Sequence, residues 1–426
     1  MERYTNSRED IIIEVTDNKL CATMTIKRDG GVIEQDEIIS LINQAGISNG
    51  FISSINQEGE KEFNHPFKIA EIQAINQEVV LDLYYKTDEL YYPKTPLNET
   101  NIFRLVYVQK GSAIGKLTYD EDMMSKKDVY GKYLLTLEGR NNVIDKYKGE
   151  NIDFDLNTRE YIAKISGYLS LASDGKYSII NHLIIKHDIN RDYGNIYIIG
   201  NLTIQGNVKD VRHIRVIGEL IIEGDVFQSN LYAEHGIVIK GLLEGCNSGG
   251  VTSPKSIKCA EVKNSKVFAG EDVFIEGNVT SSKIVGETSI QVKDSGEVLA
   301  SDLQSSRYIK VGNVKNDDHT VSDLEITVSP YTKEQLMILT RELVYFNEND
   351  SDNEKIPIIR REIKQLEEKL SNKVEEAIEL ENNNSLMIET RGQIFPGVKL
   401  KILKESMIVD DDSFKNKKII NLTRMM

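Results

Sequence analysis

Gly111-Ser-Ala-Ile-Gly115-Lys116-Leu117-Thr118 is the segment closest to a phosphate-binding loop. Such a loop cradles phosphates on backbone N–H groups, reaches them with a lysine, and places a hydroxyl on magnesium. That chemistry needs four residues between the glycines and Ser or Thr directly after the lysine. Here three residues intervene and Leu117 follows, so a turn between two strands with Lys116 in solvent is expected. Histidines stand at 65, 182, 187, 213, 235 and 319, without the HExxH or HxxEH spacing that converges on a metal. Asp210 and Asp225 could serve polysaccharide cleavage only as part of a carboxylate cluster on adjacent exposed faces. Both lie at turn positions, where an Asx corner is the expected role. The chain has no Trp to form a sugar platform. A hexapeptide-repeat acyltransferase needs a six-residue unit and a catalytic histidine, and neither can be placed. No catalytic, cofactor-binding or metal-ligating residue is assigned, and no enzymatic activity is expected.

Composition narrows the class further. The chain has 426 residues, with 52 basic and 67 acidic side chains giving a net charge of -15. A broad nucleic-acid surface would have to be built against that field. Cys21, Cys246 and Cys259 form no CxxC pair, which argues against a disulfide framework or a zinc site and fits a reducing compartment. The first residues, Met1-Glu-Arg-Tyr-Thr-Asn-Ser-Arg-Glu-Asp10, lack the pattern of a signal peptide, and no run of eighteen apolar residues occurs. A cytoplasmic protein without membrane insertion is the expectation.

Most of the patterning lies between residues 194 and 314. Gly200-Asn-Leu-Thr-Ile-Gln-Gly206-Asn207-Val208, Gly218-Glu-Leu-Ile-Ile-Glu-Gly224-Asp225-Val226, Gly236-Ile-Val-Ile-Lys-Gly241 and Glu271-Asp-Val-Phe-Ile-Glu-Gly277-Asn278-Val279 repeat one phrase. Leu202, Ile204 and Val208 fall on one side and Thr203 and Gln205 on the other, as a strand with one buried face requires. Glycine followed by Asn or Asp marks corners, where positive φ suits glycine. A repeat of 17 or 18 residues cannot bury its own apolar face, so successive units must stack. The pattern predicts a parallel β-helix of roughly seven coils.

The flanking segments read differently. Residues 1–190 predict a mixed α/β domain, with strands at Ile11–Val15, Cys21–Ile26, Val79–Tyr85, Ile102–Val108 and Tyr133–Leu137 and a helix over Asp36–Ala45 ending at Gly46. The β-helix is expected over 191–328. Leu336, Leu339, Leu343 and Phe346, then Ile359, Ile363, Leu366, Leu370, Val374 and Ala377, mark two helical stripes. Residues 329–384 therefore predict an antiparallel, coiled-coil-like hairpin projecting from the solenoid. Strand-like segments in 385–426 predict a short β coda that returns to cap the coils.

This order of parts resembles the bacterial flagellar assembly protein A family. The specific points are the Gly-Asn/Asp coils, the phrase Val129-Tyr130-Gly131-Lys132, and the ending Gly392-Gln-Ile-Phe-Pro396-Gly397-Val398-Lys-Leu-Lys-Ile402. The chain departs from the family in reading Asp122-Met-Met-Ser-Lys-Lys-Asp128 where a Pro/Gly-rich turn is usual. The resemblance implies a part in flagellar assembly or placement, or in related cell-surface organisation, and brings no established reaction with it. The expected function is a non-enzymatic scaffold or regulatory adaptor with protein partners among flagellar or polar-envelope components. The alternatives are a self-assembling β-helix, expected as a limited homo-oligomer, and a polysaccharide-active β-helix enzyme.

Overall fold

The computed structural model describes every residue except 28–33, 53–63, 75–77, 121–123, 136, 351–352, 412–413 and 421–426. Two compact units share the chain. One comprises Met1–Thr87, Val108–Ser166 and Ser170–Ile179; the other comprises Asp88–Tyr107, Gly167–Leu169 and Ile180–Met426.

In the first unit, Glu2–Thr5, Ile11–Val15, Cys21–Ile26 and Phe67–Glu71 form an antiparallel sheet in chain order. Helix α1 (Gln35–Ala45) lays Ile38, Leu41, Ile42 and Ala45 in one core with Ile11, Ile13, Val15 and Met24. It ends at Gly46, whose φ of 73° and N–H bonds to the last carbonyls make the expected left-handed cap. Val129 is buried in the same core, and Asp128 Oδ1 accepts from the N–H of Tyr130 and of Lys132 at 2.9 Å each. Val129-Tyr130-Gly131-Lys132 is thus a tight turn held by an aspartate, with Gly131 at φ 76°. A second antiparallel sheet joins Val79–Leu83, Ala113–Tyr119, Glu160–Ala163 and Ile152–Asp155.

Two expected strands are different structures. Residue 136 lies outside the described residues; among the others of Tyr133–Leu137, Tyr133 makes an isolated bridge and Leu137 opens helix α2 (Leu137–Asp145). Ile102–Arg104 is a 3-10 turn and only Tyr107–Val108 is extended. The Asn98 carboxamide accepts from the N–H groups of Thr100 and Asn101, a local arrangement that competes with strand geometry.

In the second unit the chain winds a parallel β-solenoid with three faces. Leu183, Leu202, Leu220, Ile237, Ile257, Val273, Ile290 and Ile309 face one another in register on the first face, 16 to 20 residues apart. Ile189, Val208, Val226, Leu243, Val262, Val279, Val298 and Val314 line the second. Ile196, Ile214, Leu231, Val251, Val267, Ile284, Leu303 and Leu324 line the third. These side chains are buried and belong to one continuous core. That makes eight turns over residues 182–326, one more than the period implied. Tyr91, Leu97, Ile102, Tyr168 and Tyr193 join the same core beside the first turn.

The corners are built in two ways. At the corner leading to the third face, Asp210, Gln228, Gly245, Asn264, Ser281 and Ala300 take left-handed backbone. The next residue in each turn sends its N–H to the turn above: Val211 to Ser229 Oγ at 3.0 Å, Ser229 to Cys246 Sγ at 3.4 Å, and Cys246 to Ser265 Oγ at 3.0 Å. Ser265 continues to Ser282, Ser282 to Ser301 at 3.1 Å each, and Ser301 to Ser322 at 3.2 Å. This buried ladder satisfies backbone donors where the sheets are interrupted. Nothing in the short Gly-Asn/Asp phrases announces it. At the corner leaving the first face, Asn207 Oδ1 accepts from Asp225 N–H at 2.8 Å and Asp225 Oδ1 from Leu242 N–H at 2.7 Å. Gly206, Gly224 and Gly241 do not use positive φ, contrary to the expectation for these corners. Their requirement is space: a Cβ on Gly224 would sit 2.5 Å from Asn207 Oδ1, and one on Gly241 2.3 Å from Asp225 Oδ1.

After the eighth turn the chain leaves as α3 (Pro330–Asn349) and α4 (Lys355–Asn382). It returns to make a ninth parallel turn, with Ile388 paired to Ile309, Ile394 bridging Val314, and Leu400 paired to Leu324. The helices are therefore an insertion within the solenoid. Across the gap, Tyr308 donates to Glu389 Oε2 at 2.6 Å, Lys399 pairs with Asp323 at 2.8 Å and Lys401 with Glu325 at 2.6 Å. Glu405–Ile408 and Lys418–Ile419 then add antiparallel strands to the ninth turn, ending the parallel order as a cap would.

Candidate interaction surface

The third face and the helical insertion define the surface with most binding character. Outward-pointing Tyr197, Arg215, Tyr232, Thr252, Phe268 and Val285 stand in register on six successive turns. Strand alternation alone produces this ladder, since their neighbours Ile196, Ile198, Ile214 and Val216 point inward and are buried. Arg215 stacks its guanidinium on Tyr232, 4.6 Å from the ring centroid.

The root of α3 is packed on this ladder. Tyr331 is buried against Phe268 and Val285, and burial pushes its phenol well above its ordinary range. Glu287 accepts from Ser329 Oγ at 2.5 Å and from Tyr331 N–H at 3.2 Å, so a coil carboxylate caps the helix N-terminus. Lys283 pairs with Glu334, and Arg307 with Glu376 of α4. The hairpin therefore does not simply project; its base lies along the third face. Beyond the root, a cleft of about 510 Å³ opens between Arg215, Tyr232 and Thr252 on one side and Gln335, Ile338 and Leu366 on the other.

Between the two helices, Leu336, Leu339, Leu343 and Phe346 are partly buried, as are Ile363, Leu366 and Leu370, while Ile359 and Ala377 are buried. Val374 departs from the expected stripe and is 43% exposed, because the heptad spacing from Leu370 passes through Lys373.

The chemically suggestive residues are dispersed. Gly111 sits at a turn with φ 86°, Gly115 to Thr118 lie within a strand, Lys116 is exposed and Leu117 is buried. His182 Nε2 lies 2.7 Å from Thr203 Oγ1, and His187 Nε2 lies 2.6 Å from Tyr193 OH. His65, His213, His235 and His319 are exposed. Asp225 is a corner acceptor and Asp210 a left-handed corner paired with Arg191 at 3.5 Å. Among the described residues, no group of three or more His, Cys, Asp or Glu could hold a metal ion, and no helix is long and apolar enough to cross a membrane.

The cysteines serve packing. Cys259 occupies the interior stack between Ile239 and Ile275, and Cys246 belongs to the corner ladder. Burial pushes their thiols up to about 12 and about 11 respectively. A raised pKa keeps each as the unreactive thiol at pH 8, because the thiolate is the nucleophile. Iodoacetamide at pH 8 should modify one thiol per native chain, the partly exposed Cys21, and three in urea. Labelling of all three in the native chain would contradict the interior placement.

A stacked three-faced coil with Asx corners and a buried serine ladder defines the class: a parallel β-solenoid carrying a helical insertion. Residues 181–360 match the family model described as the Flagellar Assembly Protein A beta solenoid domain, in agreement with the coiled architecture of that stretch. No curated protein and no solved structure matches the chain.

Proposed function

We propose that the protein is a cytoplasmic, non-catalytic scaffold or adaptor in flagellar assembly or placement. The solenoid would act as a rigid spacer, the hairpin as an arm, and the N-terminal sheet with α1 as a partner-binding module. The observation that carries this reading is the register of the ninth turn, preserved across an insertion of two helices. Such a stack holds attached elements at set positions and needs no chemistry at its surface. End-to-end stacking is less favoured, because antiparallel strands cover the ninth turn and Tyr91, Leu97 and Ile102 pack beside the first.

Affinity capture from the protein's own cells tests the proposal, using the intact chain and two deletions. One lacks residues 1–72, which avoids removing Tyr91, Leu97 and Ile102 from the coil core. The other joins Ser329 to Asn384. We expect the intact chain to recover flagellar or polar-envelope proteins and the first deletion to lose them. The hairpin deletion should keep the solenoid's circular dichroism while recovering fewer partners. Recovery of the protein alone by the intact chain would replace the adaptor reading with self-association.

A further inference from the structure

The ladder on the third face and one stripe of α3 have matching spacing. Tyr331, Gln335, Ile338, Glu342 and Tyr345 lie on one side of the helix at spacings of four, three, four and three. From Tyr331 to Tyr345 is about 21 Å at 1.5 Å per residue. From Phe268, where Tyr331 is seated, to Tyr197 is four strand spacings, about 19 Å. By the same measure Gln335 falls near Thr252, Ile338 near Tyr232 and Glu342 near Arg215. The charges are complementary at the one position where both sides are ionic. Among the described residues neither Arg215 nor Glu342 makes an ion pair.

The facing groups are nevertheless apart. Tyr197 is 56% exposed, Ile338 49% and Tyr345 61%, and the cleft separates the middle of the two stripes. The root is seated while the distal part stands off. Both ends of the insertion leave the solenoid through left-handed residues that are not glycine, Ser329 at φ 44° and Asn384 at φ 52°.

We propose that the hairpin is a hinged strap that closes flat on the third face, bringing Ile338 onto Tyr232, Glu342 onto Arg215 and Tyr345 onto Tyr197. The occupant of the cleft is thus the chain's own helix. Closure hides the aromatic ladder, and opening presents it together with the apolar side of α3. The inference does not depend on the flagellar reading, since it concerns only the solenoid and its insertion.

Disulfide trapping tests it in the full chain carrying Cys21→Ser. The pair Tyr197→Cys with Tyr345→Cys should oxidise at least tenfold faster than the control pair Tyr197→Cys with Val344→Cys, since Val344 lies on the opposite side of α3. Adding Glu342→Arg should slow the first pair toward the control. A second measurement keeps every facing residue: spin labels at Asn195→Cys and Asn349→Cys should show a short-distance population that Glu342→Arg depletes. Equal oxidation rates, or a single long distance unchanged by Glu342→Arg, would overturn the strap.

Discussion

Ile257→Ala should destabilise the solenoid by about 2–5 kcal/mol, the usual range for truncating a fully buried aliphatic side chain. Ile257 is fully buried in a middle turn, in register between Ile237 and Val273, which are also buried. Neighbouring turns are constrained on both sides by their own strand partners, so collapse around the cavity is limited. Because each turn contacts only its neighbours, a weakened middle turn divides the stack. Urea unfolding followed by the β signal should show a lower midpoint, or a separation into two transitions. A midpoint unchanged within error would place Ile257 outside a packed core.

Ser282→Val should cost about 1–3 kcal/mol, the range for leaving a buried polar group unsatisfied. Ser282 Oγ accepts the N–H of Ser265 and donates to Thr280 carbonyl oxygen at 2.7 Å, both in the buried corner. Valine fills the volume and supplies neither interaction. Ser282→Cys should lose less than half as much, because Cys246 already occupies an equivalent rung, accepting from Ser229 N–H and lying 3.7 Å from Glu244 carbonyl oxygen. The comparison separates hydrogen bonding from packing. Equal losses in the two variants would mean that the ladder contributes through shape alone.

The two substitutions touch different levels of legibility. Ile257 could be chosen from alternation, since a one-sided strand must turn its aliphatic residues inward. The serine rungs could not be chosen so easily. Their spacing varies from 17 to 21 residues, and each matters only because the turn below presents an N–H to it. A signal was present in Asn264-Ser265, Ser281-Ser282 and Ala300-Ser301, but it lacks the glycines that mark the other corner. The glycines themselves were placed correctly for a different reason from the one expected, close stacking rather than left-handed backbone. Little of the interaction surface was legible: the helical stripes visible in the sequence form the seam between α3 and α4, and the outward ladder from Tyr197 to Val285 arises only when six turns align.

Local pattern by itself determined the β-solenoid, α1 with its Gly46 cap, the two long helices and the returning C-terminal strands, because each depends on periodicity and turn chemistry within a few residues. Tertiary structure alone decided that Ile102–Arg104 curls and seats Ile102 in the solenoid core, that Leu137 opens a helix, that the hairpin interrupts the stack between its eighth and ninth turns, and that its root lies on Phe268 and Val285. These features depend on which distant surfaces meet. Register across 79 residues, from Ile309 to Ile388, is chosen by the exposed edge of the eighth turn, and no local periodicity encodes such an edge.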